Sequence, residues 1–401
     1  MRTPLLLTVH RWTGLTLLPV IAVIGLTGAL LPFAGELNRM IAPSLWDAAP
    51  PTPDARVLDG IELADRVERQ TGGIASYVRL SLAPDRAQAI FIEPHPDGPA
   101  LNCNEAIADP YTGVVRRCLR YGDLSEGAVS LVPFLVRLHY SFGAGRWGIL
   151  LFGVAALVWG ATSLAGLWLT FYRRAAPGVA GAAAWTRSRH PFWRVRRHQG
   201  MVIFVHDLHR AVGVSLLPVL LLFMWSGVAF NLQPVHAPVQ KLFGAQGVYQ
   251  PLANPDAGEG PAMTRIEALK RGQQLMAEMA RQKRFDVLEP YAISWDAAAH
   301  AAGYYALTSL DGPTKRASTA VWFDRSNGRL LAFRAPYGDT KADAVDKASR
   351  MLHTAALFGW PYRVFVSLVG LACAAMTIAG GLLWLKRSDK RLRTSSPGRS
   401  R

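Results

Sequence analysis

The side chains with the widest chemical range in this 401-residue chain are its histidines, of which there are ten. Four fall into a pattern. His10 and His209 lie 199 residues apart, and each is followed by an arginine, Arg11 and Arg210. His139 and His353 lie 214 residues apart, and each is preceded by a leucine. Imidazole is the commonest metal ligand among side chains, and one ring nitrogen stays free to be oriented by a neighbour. Two imidazoles that face each other across a helical bundle form an axial site for haem iron. Zinc would want a third or fourth N, S or O ligand close by. No cysteine or carboxylate recurs beside these four histidines.

Four apolar stretches position the histidines. Gly14–Gly35, Trp147–Tyr172, Ala211–Leu232 and Val364–Leu385 contain no Lys, Arg, Asp or Glu. Each has the roughly 20 residues that a membrane-crossing helix needs. Met1-Arg2 before the first run could also open a secretory signal peptide, but that run is long for one, and a second copy lies inside the chain. The four histidines fall one at the start of each span. The resulting order is span 1 at 1–35, an outer domain at 36–138, span 2 at 139–174, a basic loop at 175–199 and span 3 at 200–232. A second outer domain at 233–350, span 4 at 351–387 and a tail at 388–401 follow.

The halves match one another. At the 199-residue offset, Leu17-Leu18-Pro19 falls on Leu216-Leu217-Pro218 and Thr27-Gly28 on Ser226-Gly227. At the 214-residue offset, Gly145 falls on Gly359, Ala165-Gly166 on Ala379-Gly380 and Arg173 on Arg387. Fixed offsets over two separate spans predict a parallel internal repeat about an axis along the membrane normal. The fold class expected is therefore an α-helical integral membrane protein, a four-span bundle from a parallel internal repeat, with two small α+β outer domains. Symmetry then sets His10 opposite His209 at one depth and His139 opposite His353 at the other.

Half the residues are apolar and the net charge is +16, which excludes a disordered chain and raises the question of a polyanionic partner. Its placement answers that question. The N-terminal stub, the 173–199 loop (Arg173, Arg174, Arg187, Arg189, Arg194, Arg196, Arg197) and the tail from Lys386 hold fifteen basic residues against Asp389. That accounts for +14 of the +16. The segment 35–138 has ten basic and fourteen acidic residues, and 233–352 has fifteen and twelve. By the positive-inside rule the stub, loop and tail are cytoplasmic and both long segments lie outside. No nucleic-acid partner is implied. The localisation expected is a bacterial inner membrane with both termini cytoplasmic. His10 and His209 then lie at the cytoplasmic border, and His139 and His353 at the outer one.

Within the outer segments, 58–70 and 264–282 read as amphipathic helices, and 89–92 and 304–307 as strands. Turns follow at Asp109-Pro110-Tyr111-Thr112-Gly113 and Asp324-Arg325-Ser326-Asn327-Gly328. Cys103 and Cys118 flank the first turn, so either a cross-strand disulfide or two free thiols fits. Cys373, inside a span, reads as a small apolar filler.

Several residues could support a haem. Gly153, Ala155, Ala156, Gly160 and Gly166, with Gly370, Ala372, Ala374 and Ala375, would let a flat macrocycle approach the spans, or simply let helices pack. Arg11 and Arg210, and farther from their histidines Arg146 and Arg363, match a propionate carboxylate, a lipid phosphate or the inside-positive bias. His206, one turn before His209, ranks as a second choice of ligand because its counterpart is Leu7. His95, His190, His198, His236 and His300 stay unassigned. Tyr140, Trp147, Trp360 and Tyr362 mark either a substrate pocket near the outer border or an interfacial aromatic belt.

The strings Val9-His10-Arg11-Trp12-Thr13-Gly14-Leu15, Leu138-His139 with Gly143-x-Gly145-Arg146, Leu208-His209-Arg210-x-x-Gly213 and Leu352-His353 with Leu357-Phe358-Gly359 resemble the PepSY-associated transmembrane-helix family. The Asp-Pro-Tyr-Thr-Gly segment resembles the closing hairpin of a PepSY module. The resemblance covers nearly the whole chain. It implies two haem b groups with His10, His209, His139 and His353 as axial ligands. It also implies a role in reducing a ferric siderophore or other Fe(III) complex outside the membrane. Some relatives carry a flavoprotein reductase domain. The last span ends sixteen residues before the end of this sequence, so the expected electron donor is a separate quinol or flavoprotein. Two other readings compete: a membrane-anchored binding or regulatory protein without redox chemistry, and a permease component for the iron complex. Pro19 and Pro218, at matching positions, could kink two spans as a permease would use.

Overall fold

In the computed structural model of the chain, the described residues are 3–95, 98–172, 191–245, 261–296, 300–310 and 319–395. Helix α1 spans Thr3–Leu30, and α2 (Ala34–Ile41) and the one-turn α3 (Pro43–Trp46) follow it. Then come α4 (Gly60–Thr71) and the strands β1 (Ile74–Ala75), β2 (Tyr77–Arg79), β3 (Gln88–Glu93), β4 (Glu105–Ala108) and β5 (Val115–Leu119). Helices α5 (Leu131–Ser141) and α6 (Gly145–Tyr172) close the first half. The second half has α7 (Met201–Asn231), α8 (Gln233–Leu242) and α9 (Arg265–Lys283). It continues with β6 (Val287–Asp296), β7 (Ala301–Thr308), β8 (Thr319–Asp324) and β9 (Leu330–Arg334), and ends on α10 (Lys341–His353) and α11 (Gly359–Ser395).

Four helical runs are long and apolar enough to cross a membrane: Leu5–Ile41, Gly145–Phe171, Met201–Asn231 and Gly359–Leu382. This is a membrane protein. Its first compact unit gathers Met1–Pro32, Val136–Pro238 and Ser349–Arg401. Within it α1 packs against α6 and α11, and α7 packs against the same two helices. So α1 faces α7 across the bundle, and α6 faces α11. Leu17, Ile21, Ala155, Leu220, Met224, Val369 and Cys373, drawn from all four helices, form its buried apolar core. Where α1 meets α11, glycines let backbones touch. A Cβ on Gly25 would stand 2.8 Å from the Gly370 carbonyl oxygen, and one on Gly370 would stand 2.7 Å from that of Gly25. In lipid, where apolar burial offers little drive, such close approach is a main source of helix association. Cys373 is buried there, as a filler should be.

Two histidines do not sit where the sequence places them. His139 and His353 do not begin spans 2 and 4; they lie at the C-terminal ends of the preceding helices α5 and α10. The chain breaks before each span resumes. Phe142, Gly143 and Gly145 take φ of 50, 72 and 55°, and Ala355, Phe358 and Gly359 take 52, 58 and 63°. Left-handed residues of this kind end helices. The Gly143-x-Gly145 spacing carries that signal; the second break, with only Gly359, carries less of it.

The other compact unit gathers Phe33–Leu135 and Val239–Ala348. Where the sequence reads two outer domains, 36–138 and 233–350, the structure joins the two segments. β1, β3, β4 and β5 form one antiparallel sheet, and β2, β6, β7, β8 and β9 form another. β1 and β2 are separated only by Ser76, so one extended stretch passes from the first sheet to the edge of the second. Ser76 takes part in both hand-overs, its N–H donating to Phe91 O at 3.2 Å and its carbonyl accepting from Trp295 N at 2.8 Å. Leu63, Val67, Ile90 and Ile92 share one core with Met276, Ile293, Tyr304 and Phe323. Arg265 at the start of α9 also bridges to Glu68 on α4 at 2.6 Å.

The local expectations fare well here. Asp59 caps α4, its carboxylate accepting from Glu62 N, and Thr264 with Glu267 forms a capping box on α9. The two turns are built alike. Asp109 accepts from the N–H of Tyr111 and Thr112 at 2.9 Å each, and Asp324 accepts from Ser326 N at 2.8 Å. Gly113 and Gly328 close them at φ of 70 and 71°. Cys103 and Cys118 are joined as a disulfide, with Cα atoms 5.6 Å apart.

Two predictions follow for this unit. Cys103→Ser in the full chain should cost about 3 kcal/mol, the value for a loop of about 15 residues. Calorimetry should show the loss as an earlier transition that reductant reproduces in the parent protein. The second concerns Glu105 on β4, which is 5% exposed. Burial pushes its carboxyl up to about 7, from an ordinary 4.5. The folded state then holds a proton that the unfolded chain releases. Stability from this group is therefore full below about pH 4.5 and falls as pH rises toward 7, by on the order of 3 kcal/mol. Glu105→Gln should flatten that fall in melts taken between pH 4.5 and 8. An unchanged profile would assign the pH dependence elsewhere.

Candidate functional site

The bundle brings the four histidines together as two pairs. The ring centres of His139 and His353 are 6.2 Å apart, with the planes at 74°. Phe223 and Phe230 stand 5.2 and 5.5 Å from the His353 ring, so the pair is walled by aromatic groups. His10 and His209, on the facing helices α1 and α7, lie within electrostatic reach of one another.

The hydrogen bonds of the first pair engage Nδ1 of each ring. Thr27 on α1 stands 2.9 Å from His139 Nδ1. Its hydroxyl also lies 2.7 Å from Val23 O, one turn back, where it can donate. A hydroxyl has one proton to donate, so when it serves Val23 O it accepts from His139. In that arrangement the proton of the bond is on Nδ1, and Nε2 keeps its lone pair. Ser226 on α7 repeats the arrangement, with its hydroxyl 2.7 Å from Leu222 O and 2.6 Å from His353 Nδ1. A metal-binding histidine commonly uses its second nitrogen this way, which fixes the ring and raises its basicity.

The second pair uses carbonyls. His10 Nδ1 donates to Thr162 O at 2.8 Å, with the Thr162 hydroxyl 3.1 Å away. That hydroxyl in turn meets Thr13 at 2.9 Å, while Thr13 donates to Val9 O. His209 Nδ1 points to Met376 O at 3.4 Å. Glycines make room for the rings. A Cβ at Gly28 would stand 3.1 Å from His139 Cε1, and one at Gly166 would stand 2.8 Å from His10 Cε1. Gly153, by contrast, serves helix packing, lying against Asn231 and Leu232.

This donor set has a definite capacity. Two metal–imidazole bonds of about 2.0–2.1 Å, plus the ring radii, space ring centres by about 6.4 Å. The His139–His353 spacing of 6.2 Å fits that. Among the described residues, no three His, Cys, Asp or Glu side chains converge on a point. Each pair thus offers two imidazoles, and a metal held between them must bring its other ligands with it. A haem does so. From His10 to Thr27, and from His209 to Ser226, is seventeen residues, so the two pairs lie about 25 Å apart along the helices.

The arginines divide. Arg11 stacks at 5.6 Å over Trp12 and forms no ion pair among the described residues. Arg210 is engaged: it donates to the carbonyls of Phe192 and Arg194 at 3.2 and 3.0 Å and lies 3.5 Å from Asp207. Asp207 is fully buried, and Arg196 grips it through Nε at 2.7 Å and Nη2 at 3.0 Å. His206 faces this carboxylate at 3.5 Å. Together these bonds clip residues 192–196 onto α7. Arg363 donates to Pro32 O at 2.6 Å, and Arg146 stacks at 5.0 Å over Trp147. Arg173, Arg174, Arg187, Arg189 and His190 lie outside the described residues. Trp147 and Trp360 are 67 and 66% exposed, the pattern of an interfacial belt rather than of a pocket.

Sequence reasoning registers Thr27 and Ser226 as matched residues but does not see them as histidine partners. Thr162 and Met376 are missed because their carbonyls carry no side-chain signal. Asp207 is missed because, one charge before a span, it reads as a border residue.

Residues 7–387 match the family described as the PepSY-associated TM region, and no curated protein matches the chain.

The Asp207 cluster makes a prediction. Asp207→Ala leaves Arg196 and Arg210 close together without their counter-charge. Because Arg196 is solvent-accessible, the loss should appear as local loosening of this segment and not as global unfolding. Limited proteolysis should then cut at residues 192–199 faster than in the parent. Unchanged cleavage would show that the clip does not hold this segment.

Proposed function

The chain belongs to the PepSY-associated transmembrane family, and on that premise we propose that it is an inner-membrane di-haem b electron-transfer protein that reduces Fe(III) outside the membrane. The observation that carries this reading is the His139–His353 pair: two rings 6.2 Å apart, with both Nδ1 atoms held by hydroxyls of neighbouring helices. His10 and His209 supply the second pair. When bound, haem supplies a one-electron couple. The chain's residues do the rest. The imidazoles offer Nε2, their Nδ1 partners fix the rings, and the apolar core between the two levels excludes water.

The parallel internal repeat supports the same reading. Thr27 and Ser226 differ by 199, and their partners His139 and His353 by 214. His10 and His209 differ by 199, and their carbonyl partners Thr162 and Met376 by 214. Four hydrogen bonds thus obey the two offsets that the apolar spans set. With the basic stub, loop and tail inside, His10 and His209 lie toward the cytoplasm, where a haem held between them would be within reach of a separate quinol or flavoprotein donor. His139 and His353 lie toward the outside. One electron converts Fe(III) to Fe(II), which the hard oxygen donors of a siderophore hold more weakly, so the metal is released.

Reduced-minus-oxidised spectra of the purified chain, expressed with ample haem, should show b-type bands equivalent to two haems. His353→Ala should lose about one of them. Absence of b-type bands would end the reading, and retention of both haems in His353→Ala would refute the pairing.

A further inference from the structure

Beyond the ligands themselves, we infer that Thr27 and Ser226 are positioning residues that set the tautomer of the His139–His353 pair. The inference rests on the haem reading for its purpose, but not for its geometry. Neither hydroxyl is free to rotate its proton toward the imidazole without giving up a bond of 2.7 Å to its own helix. In a bundle interior that bond has no water to replace it. The hydroxyl therefore acts as a fixed acceptor, and the imidazole has to answer with Nδ1–H.

The arrangement occurs twice, at equivalent positions of the two halves. They come from different helices, α1 and α7, and from a threonine in one case and a serine in the other. Only the hydroxyl is common to both. A side chain selected for filling space alone would be served as well by valine or alanine. Thr27 and Ser226 are 4 and 0% exposed, so neither hydroxyl is there to meet solvent. Gly28, next to Thr27, lets the His139 ring come close to α1, where that acceptor waits. The other pair provides an internal control, because its Nδ1 atoms meet main-chain carbonyls, which these substitutions leave in place.

A tautomer lock has two consequences that simple packing lacks. It keeps both Nε2 lone pairs available, and it loads electron density onto the rings through the Nδ1–H bond. Without the acceptor, a neutral imidazole can carry its proton on either nitrogen, and the Nε2–H form is no ligand.

The test uses the full chain in two arms. In protein prepared without haem, nitrogen NMR of labelled histidine should report His139 and His353 as protonated on Nδ1. Thr27→Val and Ser226→Ala should each shift their own histidine toward a mixture with Nε2–H. In haem-loaded protein, the same variants should raise the midpoint potential of one centre and leave the other unmoved. Thr27→Ser and Ser226→Thr should restore the parent values. Retention of the Nδ1–H form in the variants, or potentials that stay put while haem is retained, would overturn the inference. The first arm also separates this inference from the haem reading. A chain that binds no haem but shows both locked tautomers would remove the cofactor and leave the lock standing.

Discussion

A polar group inside a membrane bundle must find its partner within the protein, because no water is present to supply one. Each of the four paired histidines meets this constraint through Nδ1. His139 and His353 reach hydroxyls on α1 and α7, and His10 and His209 reach carbonyls on α6 and α11. The bonds of His10 and His209 join spanning helices, α1 to α6 and α7 to α11, while those of His139 and His353 fasten α5 to α1 and α10 to α7. Hydroxyls that can serve their own helix are placed to accept from His139 and His353, which is the basis of the inferred tautomer lock.

The constraint extends to the packing. A ring can approach a neighbouring helix only where no Cβ blocks it, which is why Gly28 and Gly166 lie against His139 and His10. The Gly25–Gly370 contact brings α1 and α11 into backbone touch. Between the two levels, Leu17, Ile21, Ala155, Leu220, Met224, Val369 and Cys373 close the interior. The bundle is thus polar at two depths and apolar between them. That layout suits the electron carrier proposed above, with ligands at two levels and an apolar space between them.

Much of this is legible in the residues. Spans are set by hydropathy, and the histidine pairs by two fixed offsets. The amphipathic helices and the Asp-to-Gly turns of the outer segments appear where local chemistry puts them. What cannot be read is non-local. Nothing in Ile74–Arg79 says that its second half will join a sheet built more than two hundred residues later, because an edge strand is chosen by the partner that needs it. The helix breaks after His139 and His353 depend on left-handed residues such as Phe142 and Ala355, which carry no glycine signal. Asp207 looks like an ordinary border charge until Arg196 folds back upon it.

The account stands or falls on whether the two histidine pairs each hold iron between two imidazoles. Low-temperature electron paramagnetic resonance of the oxidised, full-length protein reads this directly. Two low-spin ferric signals of the bis-imidazole type, in about equal amount, are the predicted result. A high-spin signal, a single low-spin species, or no haem signal from protein supplied with haem would contradict it.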